Sequence, residues 1–333
     1  MILVTGATGL VGAHLLLHLL EKKQAVRSIY RNTASIAKTK VLFKKLHKLT
    51  LFEQIDWVEA DITNLTQLEI AFQEINQVYH CAGLISFDPS DEEKLRKINI
   101  EGTANVVNLC LAHGVEKLCF VSSIATIGVS PLPTLPCDET HEWNPELPHT
   151  DYAISKYGAE MEIWRGYQEG LAVVIVNPGV ILGPYFWESG SGELFAKVAQ
   201  KFPFYSSGST GFISVSDVVQ PMIQLMESAI SGERYILVSE NKTYEAVLKE
   251  IAAALKISIR WMATHKWMIA LAWRVEALVG IVFGKKRRLS KQLAQTLFDS
   301  TQYSSAKISK ELGIRFSPVS QVIQEIASVY PKI

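Results

Sequence analysis

Residues 5–12 read Thr5-Gly6-Ala7-Thr8-Gly9-Leu10-Val11-Gly12, directly after the apolar run Ile2-Leu3-Val4 and opening a helical pattern from about Leu10 to Lys22. A bare glycine pattern is weak evidence, but three glycines set between a strand and a helix are specific. Gly6 permits the tight turn, Gly9 lets a pyrophosphate approach the backbone, and Gly12 lets the helix pack closely on the sheet. The helix N-terminus then presents free N–H groups and the positive end of its dipole. Thr5, Gly6, Thr8, Gly9, Leu10, Val11 and Gly12 are therefore expected to cradle a dinucleotide. The competing reading is an ordinary strand-to-helix turn.

Outward from this turn, short β-branched runs alternate with helical patterns over the first 180 residues. Ala25 to Tyr30, Ile55 to Val58, Val78 to His80, Leu118 to Val121 and Val173 to Val176 read as strands. Strands alternating with helices imply βαβ units, and apolar runs without alternation imply parallel strands covered on both faces. The expected fold is α/β, a doubly wound parallel sheet of Rossmann type with a smaller, discontinuous substrate domain. Residues 1–178 form the dinucleotide-binding part, and 212–240 rejoin it through a strand near Tyr235. Residues 179–211 and 241–333 form the second part. Pro184 to Gly211 reads as an elaborated loop, Tyr244 to Leu255 as a helix capped by Thr243, and the tail as mostly helical.

Composition bounds the function. The 333 residues carry 33 basic and 33 acidic side chains, for a net charge of +0, and 48% are hydrophobic, with mean hydropathy +0.14. That is a globular composition, without the basic surplus a general nucleic-acid binder needs. Cys81, Cys110, Cys119 and Cys137 have no C-x-x-C spacing, so four thiols in a reducing cytoplasm are expected, with no zinc site. The N-terminus reads as structure rather than as a secretory signal. Trp261 to Phe283 is the most membrane-like stretch, but His265, Lys266, Arg274 and Glu276 interrupt it, so no membrane span is expected. With Lys285-Lys286-Arg287-Arg288 beyond it, 261–288 could lie on an anionic membrane surface; a packed core helix with a basic end fits better. Trp261, Trp267 and Trp273 read as burial on two sides.

The end of the second strand chooses the cofactor. An NAD site places an acid about 20 residues past the glycines, to hold the ribose 2′-hydroxyl. Here the segment is Val26-Arg27-Ser28-Ile29-Tyr30-Arg31-Asn32, without an acid, and Arg31 lies 19 residues after Gly12. A guanidinium there suits a 2′-phosphate, so NADP(H) is preferred and NAD(H) stays possible. The alternative is that Arg27 and Arg31 are solvated surface charges.

Tyr152 and Lys156 lie four apart, on one face of a helix. A free phenol has a pKa of about 10, and a nearby ammonium is expected to lower it, so that Tyr152 exchanges a proton with a substrate oxygen. Ser122-Ser123 stands at the C-terminal end of a buried strand, where ligands sit in open α/β sheets. A serine hydroxyl there can hold a carbonyl oxygen as charge builds on it. Ile85 and Phe87 leave the fourth strand at the same end and are pocket candidates. Thr126, Tyr185, Trp187 and Phe204 fall in loops expected to face the site. His80 reads as structural or cofactor-adjacent rather than as a metal ligand.

The set Thr5 to Gly12, Asp61, His80-Cys81-Ala82-Gly83, Asn99 to Thr103, Ser122-Ser123, Tyr152 with Lys156, Asn177-Pro178-Gly179 and Ser214 to Asp217 occurs in order. It resembles the extended short-chain dehydrogenase/reductases, the NAD(P)-dependent epimerase/dehydratase family, over nearly the whole chain. Val26 to Arg31 and Val121 to Ile124 look most like the dihydroflavonol 4-reductase and 3β-hydroxysteroid dehydrogenase members, which act on apolar ring compounds. The resemblance implies that Ser123 is the catalytic serine, that Lys156 also binds the nicotinamide ribose, and that Asn99 positions cofactor or water near it. It places Asp61 and Ile62 at the adenine, Ala82 and Gly83 along the cofactor, Pro178, Gly179 and Val180 at the nicotinamide, and Ile124 in the pocket. It also implies a possible homodimer through the helices carrying Asn99 and Tyr152. Asn177 departs from the family, which often has arginine there, and no diphosphate-binding Asn and Arg pair is placed.

Three functions are open on this reading. The first is an NADP(H)-dependent oxidoreductase of a ketone or aldehyde and its alcohol, on a small, apolar substrate. The second is a sugar or nucleotide-sugar epimerase or dehydratase with retained NAD. The third is an NADPH-sensing binding protein, which an intact Tyr152 and Lys156 pair disfavours.

Overall fold

The computed structural model describes residues 1–130, 132, 135–188, 190–271, 273–274 and 296–331. Seven parallel strands form the main sheet: β1 (Ile2–Thr5), β2 (Val26–Tyr30), β3 (Asp56–Glu59), β4 (Gln77–His80), β5 (Lys117–Val121), β6 (Ala172–Pro178) and a late strand, Glu233–Leu237. The spatial order is Glu233–Leu237, β6, β5, β4, β1, β2, β3. Crossing from β3 to β4 moves the chain to the other side of β1, so the order of strands reverses beside the glycine turn. That reversal opens the crevice in which such sheets bind ligands.

Neighbouring residues of one strand serve opposite faces. Val4, Val174 and Val176 pack under the helices Leu10–Glu21 and Val215–Glu227, whereas Leu3, Val173 and Ile175 pack under Gly102–Ala112 and Asp151–Gln168. Both sides of the pleat therefore need apolar residues, which is why these strands read as unbroken runs. The outer strand β3, with no fully buried residue, shows no such run.

After β6 the chain forms β7 (Val180–Leu182), a helix Gly192–Ala199, β8 (Phe204–Tyr205) and β9 (Ser209–Ser214). Then β10 (Glu233–Leu237) returns to the main sheet alongside β6, with Tyr235 opposite Val176. β11 (Glu240–Thr243) pairs antiparallel with β9, which pairs parallel with β7, and β12 (Met262–Ala263) pairs with β8. The 184–211 stretch is thus not one loop. Its helix buries the side chains of Phe195 and Val198, three apart, but spans only 8 residues, too short for its period to stand out. The Thr243 hydroxyl caps the helix Tyr244–Ala254 by accepting from the Ala246 N–H, 3.1 Å.

A separate apolar cluster joins Leu182, Phe195, Phe212, Val247, Ile251, Val322 and Ile323. Of the tail helices, Val319–Ser328 packs into this cluster, whereas Ala306–Leu312 sends Ile308 into the core of the main sheet. Phe212 is fully buried at the centre of the smaller cluster. Phe212→Ala is expected to destabilise the protein by about 3–5 kcal/mol, read as a lowered urea midpoint at unchanged slope.

Among the described residues, no helix is long and apolar enough to cross a membrane. Residues 272 and 275–288, about half of the 261–288 stretch, lie outside the described residues. Trp267 is 66% exposed, so the expected two-sided burial fails there. All four cysteines are free thiols.

Candidate active site

The glycine turn is shaped by backbone crowding. Gly6 sits at φ +70°, and a Cβ there would lie 2.5 Å from the Ala82 nitrogen. A Cβ on Gly12 would lie 2.4 Å from the Gly6 carbonyl oxygen. Gly9 is the N-cap of the Leu10–Glu21 helix, and no side chain caps it. The first amides of that helix thus keep their donors for an anion. This cradle fits the pyrophosphate of a dinucleotide. Thr5 lies at its base, Thr8 and Gly9 at its open rim, and Leu10 and Val11 begin the helix.

Arg27 and Arg31 behave differently. Arg27 is taken up by Asp56 at 2.7 Å and by the carbonyls of Ala71 and Gln73. Arg31 is exposed just beyond β2 and makes no ion pair among the described residues. The acid Asp61 closes the turn after β3, accepting from the Thr63 N–H and hydroxyl at 2.8 Å each. Ile62 is buried against Gly102, where a Cβ would lie 2.6 Å from Ile62 Cδ1.

Beyond β4, a chain of hydrogen bonds fixes the wall of the crevice. The Ala82 N–H donates to Thr5 Oγ1 (3.1 Å), Thr5 Oγ1 meets His80 Nδ1 (2.7 Å), and His80 Nε2 meets Thr103 Oγ1 (3.0 Å). The Thr103 hydroxyl donates to the Asn99 carbonyl (2.5 Å), so Thr103 accepts from His80, whose proton is then on Nε2. Burial pushes His80 down to about 3, with Lys156 adding to the shift, so His80 is neutral. It is a structural relay between the glycine turn and the Asn99 segment.

Asn99 lies in a π-helical turn, Arg96–Glu101. The wider turn releases Asn99 from regular helix pairing and aims it inward. Its Oδ1 accepts from the Leu84 N–H (2.7 Å), and its Nδ2 donates to the Leu84 carbonyl (3.0 Å) and Ser155 Oγ (2.8 Å). A Cβ on Gly83 would lie 3.5 Å from Asn99 Oδ1 and 3.9 Å from Lys156 Nζ. Gly83 therefore floors the space between them.

The helix Asp151–Gln168 starts where Thr150 Oγ1 accepts from the Ala153 N–H (3.1 Å). That cap sets Tyr152 in the first turn and Lys156 one turn on. The Ser123 hydroxyl lies beside the Tyr152 phenol, and Phe87 meets the phenol ring edge-on at 5.8 Å. Lys156 Nζ donates to the Val121 carbonyl (2.8 Å) and lies 4.2 Å above the Phe120 ring. Ser123, Tyr152, Lys156, Asn99, Gly83 and Phe87 thus converge at the C-terminal ends of β4 and β5.

The expected tuning of Tyr152 is corrected. Burial raises the phenol above its ordinary value, opposed by the Ser123 hydrogen bond. The Lys156 ammonium sits on the Val121 carbonyl and over the Phe120 ring. Burial in turn brings Lys156 down to about 8, opposed by Glu160 and Cys81.

Several loop residues point elsewhere than expected. Ile85 faces solvent at 62% exposure. Ile124 is buried with Ile127, Cys137, Ile236 and Val238, not in a pocket. Thr126 is fully buried; its hydroxyl donates to Glu160 at 2.9 Å and also lies 2.9 Å from the Ser123 carbonyl. Tyr185, at φ +71°, packs with Ala13, Leu42 and Phe186, and Trp187 packs against Phe195 and Tyr330. Pro178 ends β6, and Gly179 is forced by proximity, since a Cβ would lie 2.4 Å from the Gly211 oxygen. Val180 then begins β7, leading away from the sheet.

Sequence reasoning missed Glu160. It is fully buried, four residues beyond Lys156, and accepts from Ser122 (2.7 Å), Thr126 (2.9 Å) and Asn177 (3.0 Å) on one oxygen. Its other oxygen meets Arg234 NH1 at 3.2 Å. The cation is thus supplied by β10, from the strand beside Asn177. An acid on the buried face of the Tyr152 helix was the available signal.

A model of the NAD dependent epimerase/dehydratase family matches residues 2–237. The chain belongs to that family. Its relatives include the "Putative dihydroflavonol 4-reductase" of Synechocystis sp., 29% identical, with 97% of this chain and 92% of that protein covered. Another is the UDP-glucose 4-epimerase of Vibrio cholerae, 24% identical over 85% of this chain and 82% of that one. The crystal structure of gox2253 superposes with a TM-score of 0.81 at 25% identity, covering 98% and 97% of the two chains. This member of the epimerase/dehydratase family is accordingly an NAD(P)-binding enzyme of oxidoreductase type, built on a Rossmann-like sheet.

Proposed function

We propose that the chain is an NADP(H)-dependent oxidoreductase that interconverts a ketone or aldehyde and its alcohol on a small, apolar substrate. The observation that carries this reading is the buried Tyr152 phenol beside the Ser123 hydroxyl, with the Phe87 ring against it and Lys156 one turn behind. When bound, the nicotinamide supplies the hydride to the carbonyl carbon or accepts it from the alcohol. Burial keeps the Tyr152 phenol protonated at neutral pH, the form that donates to a carbonyl oxygen during reduction. The Ser123 hydroxyl holds that oxygen as charge builds on it. The Asn99 and Gly83 segment and Lys156 hold the ribose side of the cofactor, and Thr5 to Gly12 its pyrophosphate. Segments 179–211 and much of 241–333 close the substrate side, with the Ala306–Leu312 helix joining the main sheet instead.

Steady-state NADPH oxidation across a panel of apolar ketones and aldehydes tests the reading; no turnover with any member counts against it. The preference for NADP(H) rests on Arg31, exposed where an acid would select NAD. Arg31→Ala is expected to raise the KM for NADPH by about 10- to 100-fold and leave that for NADH within about two-fold. Equal effects on both cofactors would contradict it.

The similarity to an epimerase from Vibrio cholerae favours a second reading, a sugar epimerase or dehydratase. It predicts NAD that stays with the purified protein and is released only on denaturation.

A further inference from the structure

We propose that Glu160 is a positioning residue of the Tyr152 site: its carboxylate ties the segment carrying Ser123 to the helix carrying Tyr152 and Lys156, and supplies the anion opposite the Lys156 ammonium. The proposal rests on the reading of Tyr152 and Ser123 given above.

The geometry is that of a clamp. Ser122 and Thr126 flank Ser123 on both sides, and both hydroxyls donate to the same Glu160 oxygen, at 2.7 and 2.9 Å. Asn177 Nδ2 shares its two hydrogens among three acceptors within reach: that oxygen at 3.0 Å, Thr126 Oγ1 at 2.9 Å and the Ser123 carbonyl at 3.2 Å. The segment that aims Ser123 is therefore fixed to β6 and to the Tyr152 helix through one carboxylate. A fully buried carboxylate needs a cation as well as donors, since its desolvation is otherwise unopposed. Arg234 meets that need from the edge strand β10, and its guanidinium also donates to the carbonyls of Glu139 and His141. The clamp thus extends to the loop that covers the sheet edge.

Charge is the second part. Lys156 Nζ faces the Val121 carbonyl, the Phe120 ring, Cys81, His80 and, along its own helix, Glu160, with Tyr152 one turn before it. Burial holds the Cys81 thiol up at about 12 and His80 down at about 3, and raises Tyr152, so these three are uncharged at neutral pH. Glu160 is therefore the anion that favours protonated Lys156, against the burial that draws its proton off. Arg234 lies on the other oxygen of Glu160 and has the opposite sign.

The test compares Glu160→Gln with wild type in NADPH-dependent carbonyl reduction. Gln keeps the size and one acceptor oxygen but removes the charge and faces Arg234 with an NH2. The expected result is a kcat about 10-fold lower or more, with the KM for NADPH within about two-fold. The alkaline limb of the pH profile should also move to lower pH, because Lys156 gives up its proton more readily. Wild-type kcat, or a lowered kcat with an unmoved limb, overturns the proposal, since lost packing alone gives the latter. If Glu160→Gln does not fold, Ser122→Ala decides. It removes one donor and leaves the charge, and should lower kcat by about five-fold with the limb in place; unchanged kcat overturns the clamp. Tyr152→Phe run alongside separates the two claims, because full activity there sinks the reading of the site rather than the role of Glu160.

Discussion

Replacing Tyr152 by phenylalanine is expected to lower the rate of carbonyl reduction by about 100- to 10,000-fold while leaving cofactor affinity within about two-fold. The change removes one oxygen. The ring keeps its edge-on contact with Phe87, and Ser123 keeps its bond from the Ala125 N–H at 3.1 Å. Lys156 stays on the Val121 carbonyl, which does not depend on the phenol. What disappears is the proton donor, so the loss should fall on kcat. Cofactor titration by fluorescence and steady-state kinetics check the split. A variant that turns over at the wild-type rate removes Tyr152 from the chemistry.

The second large effect is expected at the glycine turn. Gly12→Ala puts a methyl group 2.4 Å from the Gly6 oxygen and 2.7 Å from Ala7 Cα, both backbone. Neither atom can swing aside, so the Leu10–Glu21 helix must move off β1. Overpacking of this kind costs about 1–3 kcal/mol, and moving the helix end withdraws its amides from the pyrophosphate. The expected outcome is a lowered melting temperature together with NADPH affinity reduced by more than about 100-fold. Gly9→Ala is the control. Its Cβ would meet the Gly6 oxygen at 3.4 Å, an ordinary contact, so the fold should keep its stability and any lost affinity reports on the open rim of the cradle.

The strands and the glycine turn were legible because local pattern and global fold agree there. Val173 to Val176 read as a doubly covered strand because alternate residues do enter the two opposite cores. The Tyr152 and Lys156 pair was legible because a helical spacing needs no tertiary information. The helix Gly192–Ala199 was not, since two buried apolar side chains, Phe195 and Val198, carry little periodic signal in 8 residues. The contact between Phe87 and Tyr152 could be anticipated only as far as the strand end. The misplacing of Ile124 and Thr126 has a different cause. Both follow Ser123 in a short helical turn, which swings them under the sheet edge toward Ile236 and Glu160. The clamp on Glu160 draws on residues 122, 126, 160, 177 and 234, and no local window holds them together. The sign of the Tyr152 shift was likewise hidden, since it comes from how deeply the fold buries the phenol.

The central claim is that Tyr152 and Ser123 serve a net carbonyl reduction with exchangeable NADP(H). The most direct test is single-label transfer: the purified protein is given NADPH deuterated at the transferable position and a reactive apolar ketone, and the product is analysed by mass. The account predicts deuterium on the carbinol carbon, one cofactor oxidised per alcohol formed, and loss of both in Tyr152→Phe. Label that stays with the cofactor, or a substrate that changes configuration without net oxidation of NADPH, would contradict it.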